Sequence, residues 1–248
     1  MQKVLLVTGG SRGIGAETVR LAAIQGYAIC INYHANQTEA VKIQHSIKEY
    51  NVPSIAVQAD IGVEQDVIRL FDTIDKELGP LTALVNNAGI LETQSTLVDM
   101  SVDRLERVLK TNVTGTFLCC REAIKRMSSQ FGGAGGNIVN VSSRASLLGS
   151  PFEYIDYAAS KGAIDSLTIG LSKEVAEQGI RVNAVRPGLI YTDIHQSSGE
   201  PGRVDRLKTG VPMQRGGTAT EVAEAILWLL SEASSYTTGG FIEVSGGR

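Results

Sequence analysis

The sequence has few cysteines, no surplus of charge of either sign and no long apolar run. Its 248 residues include three cysteines, none of them in a CxxC pair, so neither a disulfide framework nor a thiolate metal site is expected. Lysine and arginine (23) nearly balance aspartate and glutamate (26), and no run of like charges could line a nucleic-acid surface. Nucleic acid is therefore not an expected partner.

Apolar runs long enough to cross a bilayer, which takes about 20 residues, are also lacking. The chain passes from Met1 almost at once into the short run Val4–Val7 and a glycine-rich turn, which is too short for the apolar region of a signal peptide. We therefore expect a cytoplasmic protein without a membrane partner.

Short apolar runs rich in Val and Ile alternate with segments of helical length. The helical segments repeat apolar residues at steps of three and four, as in Ile164, Leu167, Leu171 and Val175. The runs are continuous, as in strands buried on both faces: Val4–Val7, Ala28–Ile31, Ile55–Gln58, Ala83–Val85, Ile138–Val141, Val182–Val185 and Phe241–Val244. This order predicts an α/β fold, a doubly wound parallel seven-stranded sheet with helices on both faces.

Polar residues collect where the predicted strands end, and ligands of open α/β sheets bind beyond these carboxyl ends. The first strand ends in the glycine-rich turn Thr8–Gly15, and others end in Asp60, Asn86–Gly89, Ser142–Ser143 and Pro187–Gly188. At any single end, a plain strand terminator is an equally good interpretation. Their convergence on one rim favours a binding site.

The turn Thr8–Gly15 predicts a phosphate site. Its glycines let backbone N–H groups approach a phosphate, and the helix that begins near Ile14 adds about half a positive charge. The spacing is not GxGxxG, because Thr18 stands where the third glycine would be, and it is not a nucleotide-triphosphate loop, because Ala16 follows Gly15. The phosphate ligand is therefore not expected to be ATP.

The end of the second predicted strand bears on the choice between NAD and NADP. A chain selective for NAD offers a carboxylate to the ribose about 20 residues after the glycine turn. Here Asn32, Tyr33 and His34 stand instead, and the first acid is Glu39. Because Arg12 could pair with a 2′-phosphate, we predict NADP(H) over NAD(H); the alternative is that Arg12 is a solvated surface charge.

Tyr157 and Lys161 are four residues apart at the head of a predicted helix and so share one face. A phenol with a pKa of about 10 exchanges protons poorly at neutral pH. Lowering that pKa to about 7 takes roughly 4 kcal/mol, which a close ammonium and an oxidised nicotinamide could supply in a partly dry cleft. On spacing alone, a surface tyrosine packed on a lysine stem is the simpler interpretation.

These motifs occur in one order in a chain of this length: Thr8–Gly15, Asn86–Gly89, Ser143 and Tyr157–Lys161. Together they resemble the short-chain dehydrogenase/reductase family over essentially the whole chain, through the closing Gly239–Gly247. The sequence is similar to bacterial oxidoreductases of the glucose-dehydrogenase and 3-oxoacyl-carrier-protein-reductase types. The resemblance implies a single NAD(P)-binding Rossmann domain over residues 1–248, with a substrate lid inserted at about 190–215.

The resemblance also implies an enzyme that interconverts a carbonyl and an alcohol of a small molecule by hydride transfer. Tyr157 would protonate the carbonyl oxygen, Ser143 would hydrogen-bond it, and Lys161 would depress the tyrosine pKa and grip the nicotinamide ribose. Asn112, on the buried face of its helix, would hold a water that relays protons to Lys161. The alternative for Asn112 is an amide that only holds a helix bend.

Cofactor contacts follow from the same resemblance. Asp60 would meet the adenine amino group unless it is an N-cap or turn residue, Asn86 and Gly89 would line the adenosine, and Thr192 would hold the carboxamide. The full set of expected cofactor contacts is Thr8, Gly9, Ser11, Arg12, Gly13, Ile14, Gly15, Asn32, Tyr33, Asp60, Ile61, Asn86, Ala88, Gly89, Tyr157, Lys161, Pro187, Gly188, Ile190 and Thr192.

One spacing departs from the family. Thirteen residues lie between Ser143 and Tyr157, one more than is usual there. We favour Ser143 with a one-residue loop insertion, because Ser142 is still farther away and would face the other side of its strand; Ser146 is the fallback.

The walls of the substrate site are expected in two segments, the lengthened loop before Tyr157 and the segment after residue 190, rich in Gly, Ser and Pro. Phe152, Tyr154 and Tyr191 are the candidate wall residues. Such walls would suit an apolar or aromatic carbonyl compound.

The residues fit other function classes less well. A zinc enzyme is not expected, since His34, His45 and His195 lack paired spacing, and no GxSxG elbow marks a serine hydrolase. The alternative function is a non-catalytic NADP-binding sensor or interaction protein on the same fold. A homotetramer is expected, because Asp103–Met127 and Tyr157–Ala176 carry wide apolar faces of the kind that family members pair.

Overall fold

The strands form one parallel sheet and one small separate pair. The structure, a computed structural model, describes residues 2–248. In chain order the strands are β1 (Val4–Val7), β2 (Ala28–Tyr33), β3 (Ser54–Gln58), β4 (Ala83–Asn86), β5 (Gly136–Val141), β6 (Ile180–Pro187), β7 (Ile190–Tyr191), β8 (Gly217–Thr218) and β9 (Phe241–Val244). Strands β1, β2 and β4 are buried along their whole length, as their continuous apolar runs predict.

The large sheet has seven strands in the order β3-β2-β1-β4-β5-β6-β9. All neighbouring pairs are parallel, so the predicted doubly wound α/β fold is confirmed. The chain builds outward from β1 to β3 and then returns to build outward from β4. This reversal between β1 and β4 opens a crevice at the carboxyl ends of both strands.

Helices cover both faces of the sheet. They are α1 (Gly13–Ile24), α2 (Gln37–Ser46), α3 (Glu64–Glu77), α4 (Val102–Leu109), α5 (Gly115–Met127), α6 (Ala145–Leu148), α7 (Ile155–Glu174), α8 (Ile194–Ser197), α9 (Arg203–Leu207) and α10 (Ala219–Leu230). Side chains alternate along β1, so Leu5 packs with α1, α2 and α10 and Leu6 packs with α3, α5 and α7. Two apolar cores therefore flank the sheet. In the described residues, no helix is both long and apolar enough to span a membrane.

The helix expected over Asp103–Met127 is interrupted in its middle. A π-helical turn over Lys110–Thr114 separates α4 from α5, and Asn112 in this turn is buried. The Asn112 side chain accepts a hydrogen bond from the Ile90 N–H (2.8 Å) and donates to the Ile90 carbonyl (3.0 Å) and to Ser160 Oγ (3.1 Å). These bonds tie the widened turn to the segment after β4 and to α7.

The segment expected as an insertion at about 190–215 forms a small layer of its own. Strands β7 and β8 pair in parallel at its two ends, and α8 and α9 lie between them. Leu189, Val204 and Val211 form its separate apolar cluster. The segment is therefore packed and closed by a strand pair rather than extended over the surface.

A buried ion pair holds the head of α7. The Arg104 guanidinium on α4 donates to both carboxylate oxygens of Asp156, at 2.7 and 3.2 Å, and to the Thr93 carbonyl at 2.6 Å. Both charged side chains are almost fully buried. Because Asp156 precedes Tyr157, this pair sets the position of the first turn of α7.

Replacing Asp156 by alanine is expected to lower the free energy of unfolding by about 3–5 kcal/mol, because the Arg104 charge is left buried and unpaired. Urea denaturation measures the change. Lys42→Ala is the control, since it removes an exposed pair with Glu39 and should cost less than about 1 kcal/mol. Equal small losses in the two variants would contradict a structural role for the buried pair.

Candidate functional site

A cavity of about 990 Å³ lies along the carboxyl ends of the central strands. It runs from the glycine turn and the end of β2 to the first turn of α7 and the segment after β7. Most of the residues singled out from the sequence line it: Gly9, Ser11, Arg12, Gly13, Ile14, Asn32, Tyr33, Asp60, Ile61, Ala88, Gly89, Ser143, Tyr157, Lys161, Pro187, Gly188, Ile190 and Thr192. The tertiary structure thus brings the predicted motifs to one rim.

Four expected site residues lie behind this lining instead: Thr8, Gly15, Asn86 and Asn112. The amide of Asn86 is buried in the interior and donates to Asn140 Oδ1 on β5 at 2.9 Å. The Asn86 side chain thus points away from the crevice, because side chains alternate along β4, and the expected contact of Asn86 with adenosine stays a prediction. Thr8 is buried too, and its Oγ1 accepts the N–H groups of Asn87 and Ala88 at 3.0 and 3.1 Å.

Asn87 is the functional residue that the sequence reasoning passed over. Its amide donates to the carbonyls of Thr8 and Gly9, both at 3.0 Å, and so braces the glycine turn from β4. A Cβ on Gly15 would come within 2.5 Å of Asn87 Nδ2 and of the Gly9 carbonyl oxygen. Gly15 is thus required for close packing of α1. Neighbouring residues of a strand point to opposite faces, so this alternation was the signal that could have shown Asn87, and not Asn86, to face the glycine turn.

The glycine turn fits the phosphates of a dinucleotide. Gly9 and Gly13 adopt positive φ angles of 60° and 53°, which L-residues with side chains rarely adopt. Helix α1 begins at Gly13 with no acidic residue in its first turn, so its N-terminal partial positive charge is not neutralised by its own side chains. Arg12 is exposed at the N-cap position and lines the cavity.

The end of β2 carries no carboxylate. Asn32 is buried, accepts the Gly9 N–H at 3.3 Å and donates to the Ala59 carbonyl at 3.1 Å, so it connects the glycine turn to the end of β3. His34 is exposed. Glu39, the first acid along the chain, lines the cavity and is paired with Lys42 at 2.7 Å.

Asp60 serves as a turn residue at the end of β3. Its Oδ1 accepts the Gly62 N–H at 2.9 Å, and its Oδ2 lies 3.7 Å from Lys110 Nζ. The N-cap of α3 is Val63, so the expectation of an Asp60 N-cap is wrong and the alternative of a turn residue is the observed one. Asp60 still lines the cavity.

Ser143 is the serine that faces Tyr157, since both residues line the cavity and the Ser143 side chain favours the Tyr157 anion. The Ser142 hydroxyl points to the other face and donates to Asp165 Oδ1 at 2.6 Å, and Ser146 Oγ donates to the Ser143 carbonyl at 2.8 Å. The longer spacing is absorbed in the loop before α7, where Ser150 and Phe152 adopt φ angles of 44° and 63°. An extra residue is thus taken up by a tight left-handed turn.

Burial shifts the pKa values of Tyr157 and Lys161. It raises the pKa of Tyr157 to about 12, against the hydrogen bond with Ser143 that favours the anion. It also lowers the pKa of Lys161 to about 8, against the attraction of the Asp165 carboxylate. In the protein without cofactor, burial leaves the pKa of Tyr157 above its ordinary value, and the lowering expected from Lys161 and a nicotinamide stays a prediction. Tyr157 therefore keeps its hydroxyl proton at neutral pH.

The expected aromatic wall is present only in part. Tyr154 lines the cavity and is 2% exposed. Phe152 is 81% exposed and lies outside the lining, and Tyr191 hydrogen-bonds Asp205 at 2.9 Å outside it as well. The position of Phe152 in the loop before Tyr157 did not reveal that the turn at residues 149–152 directs its side chain outward. The wall is instead shared with three arginines, Arg144, Arg203 and Arg248.

Known proteins resemble this chain over its whole length. Residues 9–248 match the family model described as Enoyl-(Acyl carrier protein) reductase. An uncharacterized oxidoreductase of Escherichia coli (strain K12), YgfF, is 60% identical over 99% of both chains. Glucose 1-dehydrogenase 2 of Bacillus subtilis (strain 168) is 35% identical over 99% of this chain and 94% of its own. The chain belongs to the short-chain dehydrogenase/reductase family.

Further members of the short-chain dehydrogenase/reductase family agree in sequence and structure. The 3-oxoacyl-[acyl-carrier-protein] reductase FabG of Staphylococcus aureus (strain Mu50 / ATCC 700699) is 34% identical over 100% of this chain and 98% of its own. The crystal structure of a short-chain type dehydrogenase/reductase from Mycobacterium marinum superposes with a TM-score of 0.92 at 30% identity. That match covers 99% of this chain and 94% of the other.

Membership of the short-chain dehydrogenase/reductase family makes the chain an NAD(P)-dependent oxidoreductase that acts on a CH–OH or C=O group. The family, the fold and the enzyme class predicted from the sequence are confirmed. A non-catalytic binding protein is not the favoured interpretation. In the part of the chain that the structure describes, no group of three or more His, Cys, Asp or Glu side chains could hold a metal ion.

Proposed function

We propose that the protein is an NADP(H)-dependent oxidoreductase that interconverts a carbonyl and an alcohol of a small molecule, with Tyr157 as general acid and base. The observation that carries the proposal is that Ser143, Tyr157 and Lys161 line one cavity, with Lys161 one helical turn after Tyr157 on α7. When bound along the glycine turn, the nicotinamide dinucleotide supplies or accepts the hydride.

Tyr157 would act on the proton that accompanies this transfer. At neutral pH its hydroxyl is protonated, because burial raises its pKa to about 12, so in carbonyl reduction it donates its proton to the carbonyl oxygen. Ser143 would hydrogen-bond the same oxygen. The Lys161 ammonium, which lies 5.5 Å from the centre of the tyrosine ring, would stabilise the phenolate that remains.

Asn112 and Lys161 both reach the backbone at Gly89, which supports a proton relay between them. A Cβ on Gly89 would lie 3.4 Å from Asn112 Oδ1 and 3.7 Å from Lys161 Nζ. A water bound between these two groups would return protons to Lys161, whose Nζ also donates to the Val141 carbonyl at 2.7 Å. The hydrogen bonds of Asn112 to Ile90 equally support its alternative role in holding the π-helical turn.

The preference for NADP(H) rests on Arg12 and the lack of a carboxylate at the end of β2. The Arg12 guanidinium makes no hydrogen bond or ion pair within residues 2–248, and Arg12 lines the cavity. A ribose 2′-phosphate is the group that such a guanidinium binds. Asn32 and Tyr33, buried at the same strand end, offer a 2′-phosphate no negative charge.

We also infer that the segment at about 190–215 covers the substrate. Ile190 and Thr192 line the cavity from this segment, together with Leu207 on α9. Its β7–β8 pair is separate from the main sheet, and Arg203 on α9 ties the segment to Glu153 in the loop before α7. Three buried free cysteines, Cys30, Cys119 and Cys120, suit a reducing cytoplasm.

Tyr157→Phe is expected to lower kcat for carbonyl reduction by about 10²–10⁴, because the proton donor is lost. The dissociation constant for NADPH, measured by nicotinamide fluorescence, should stay the same. Ser143→Ala should lower kcat by about 10², while Ser146→Ala, its matched control, keeps near-native turnover. If Ser146→Ala loses turnover instead, the serine assignment is wrong; unchanged rates in Tyr157→Phe would refute the enzymatic proposal.

Arg12→Gln is expected to raise KM for NADPH by about tenfold or more and to leave KM for NADH unchanged, because only NADPH carries the 2′-phosphate. The control is Arg20→Gln, which removes a charge from the same helix at a residue paired with Glu17. Steady-state kinetics with NADPH and with NADH measures the two KM values in each variant. A wild-type preference for NADH would contradict the proposed cofactor.

Carbonyl reduction is expected to lose rate above about pH 8. Burial lowers the pKa of Lys161 to about 8, so the ammonium is present below that pH and is lost above it, while Tyr157 stays protonated up to about 12. With an uncharged ketone as substrate, log(kcat/KM) should be level below the break and fall above it. A level profile up to about pH 10 would show that the charge on Lys161 is not required.

A homotetramer is the expected assembly. Leu109, Phe117 and Ile169 on α4, α5 and α7 are each 45–48% exposed, which supports pairing of these helices across an interface. Light scattering should give about four times the 26.4 kDa of one chain. Phe117→Glu should lower this mass, whereas Ile24→Glu, at an exposed site on α1, should not; a monomeric wild-type protein would contradict the assembly.

A further inference from the structure

One end of the cavity collects buried polar atoms that find no partner in the protein. Across residues 2–248, four buried side-chain nitrogen or oxygen atoms lack a hydrogen bond. Three of them, Arg144 Nε, Tyr154 Oη and His195 Nδ1, belong to residues that line the cavity. A buried polar group without a partner costs about 1–3 kcal/mol, so their concentration at one place indicates a surface that binds a ligand.

The arginines at this end are mostly balanced by carboxylates. Arg203 is buried and pairs with Glu153 and Glu200. Arg144 shares Glu243 with Arg186, at 3.0 and 2.9 Å. These pairs leave Arg144 Nε–H as a free donor and leave little uncompensated charge on the arginines that form them.

Arg248 is the exception. Its guanidinium lines the cavity, is partly buried and has no hydrogen bond or ion pair within the described chain. Burial and the neighbouring charges of Arg203 and Arg144 lower its pKa, against the attraction of Glu153. An arginine keeps its proton in proteins, so a single positive charge is left uncompensated beside the unpartnered donors.

These groups lie next to the reacting centre. Arg144 directly follows Ser143, and Tyr154 stands at the N-cap of α7, three residues before Tyr157. The Arg203 guanidinium lies 4.9 Å from the centre of the Tyr154 ring and fixes its position. Asp193 is an acid that lines the same cavity. It follows Thr192, which lies beside Gly13, so Asp193 lies towards the glycine turn.

We propose that the substrate of this enzyme is an oxo acid whose carboxylate binds Arg248, with Arg144 Nε–H and the Tyr154 hydroxyl as further donors. The inference rests on the proposed carbonyl reduction and names its substrate class. One uncompensated charge matches a carboxylate rather than a doubly charged phosphate. His195 adds no second charge, because burial lowers its pKa and keeps the ring neutral.

The test compares pairs of related carbonyl compounds in which one member is charged and the other is neutral. The probes are 4-oxopentanoate and 5-oxohexanoate against their methyl esters, and dihydroxyacetone phosphate against dihydroxyacetone, each with NADPH and with NADH. In the wild type, kcat/KM for an oxo acid should exceed that for its ester by about tenfold or more, as for hydrogen bonds to a charged group.

Arg248→Gln should reduce this acid-to-ester ratio by about tenfold, chiefly through KM. Tyr154→Phe should reduce it as well without loss of stability, because the hydroxyl has no partner to lose. Arg215→Gln is the charge-matched control, since it lies outside the lining and is paired with Glu221. A wild-type ratio near one, a ratio unchanged in both variants, or a larger preference within the phosphate pair would overturn the proposal.

Binding without turnover separates this inference from the function on which it rests. Calorimetric titration of 5-oxohexanoate into the Tyr157→Phe protein with NADPH should detect binding that Arg248→Gln weakens about tenfold. If no carbonyl compound is reduced by the wild type, the proposed function fails, yet this titration still decides carboxylate recognition. Equal binding of the oxo acid and its ester would refute the carboxylate site.

Discussion

The partial burial of Tyr157 and the nearly full burial of Lys161, in the first two turns of α7, are the constraint on which the site depends. Burial keeps the phenol protonated and weakens the hold of the lysine on its proton. In the same low-dielectric surroundings, a charge placed near Tyr157 and Lys161 interacts with them more strongly than it would in water. Tyr157 is therefore neutral in the protein alone, and a further positive charge bound beside it would favour its phenolate.

The protein holds this pair from behind with groups that do not line the cavity. Asp156 and Arg104 anchor the first turn of α7, and Asn112 ties the π-helical turn to Ile90 and Ser160. On the other side, Asn87, which itself lines the cavity, braces the glycine turn against β4. Rigid support of this kind preserves the distances between the groups that we propose exchange a proton or bind a phosphate.

Much of the site could be read from residue types and spacing, but not the direction of each side chain. The glycine turn, the serine before α7 and the Tyr157–Lys161 spacing follow local rules of strand ends and helical faces. Asn86 and Asn87 were not told apart, since the register of β4 in the sheet determines which of them faces the crevice. Phe152 was misplaced because the left-handed turn that carries it leaves its side chain exposed.

The amino-acid sequence by itself determined the layered α/β architecture and the set of chemical groups at the strand ends, because burial patterning and turn chemistry act over a few neighbouring residues. The tertiary structure alone decided how strongly burial shifts the proton affinities of Tyr157 and Lys161. It also decided that the arginines Arg144 and Arg248, distant from each other along the chain, share one wall of the cavity. Desolvation and the balance of charges depend on everything that surrounds a group, and no local pattern contains that information.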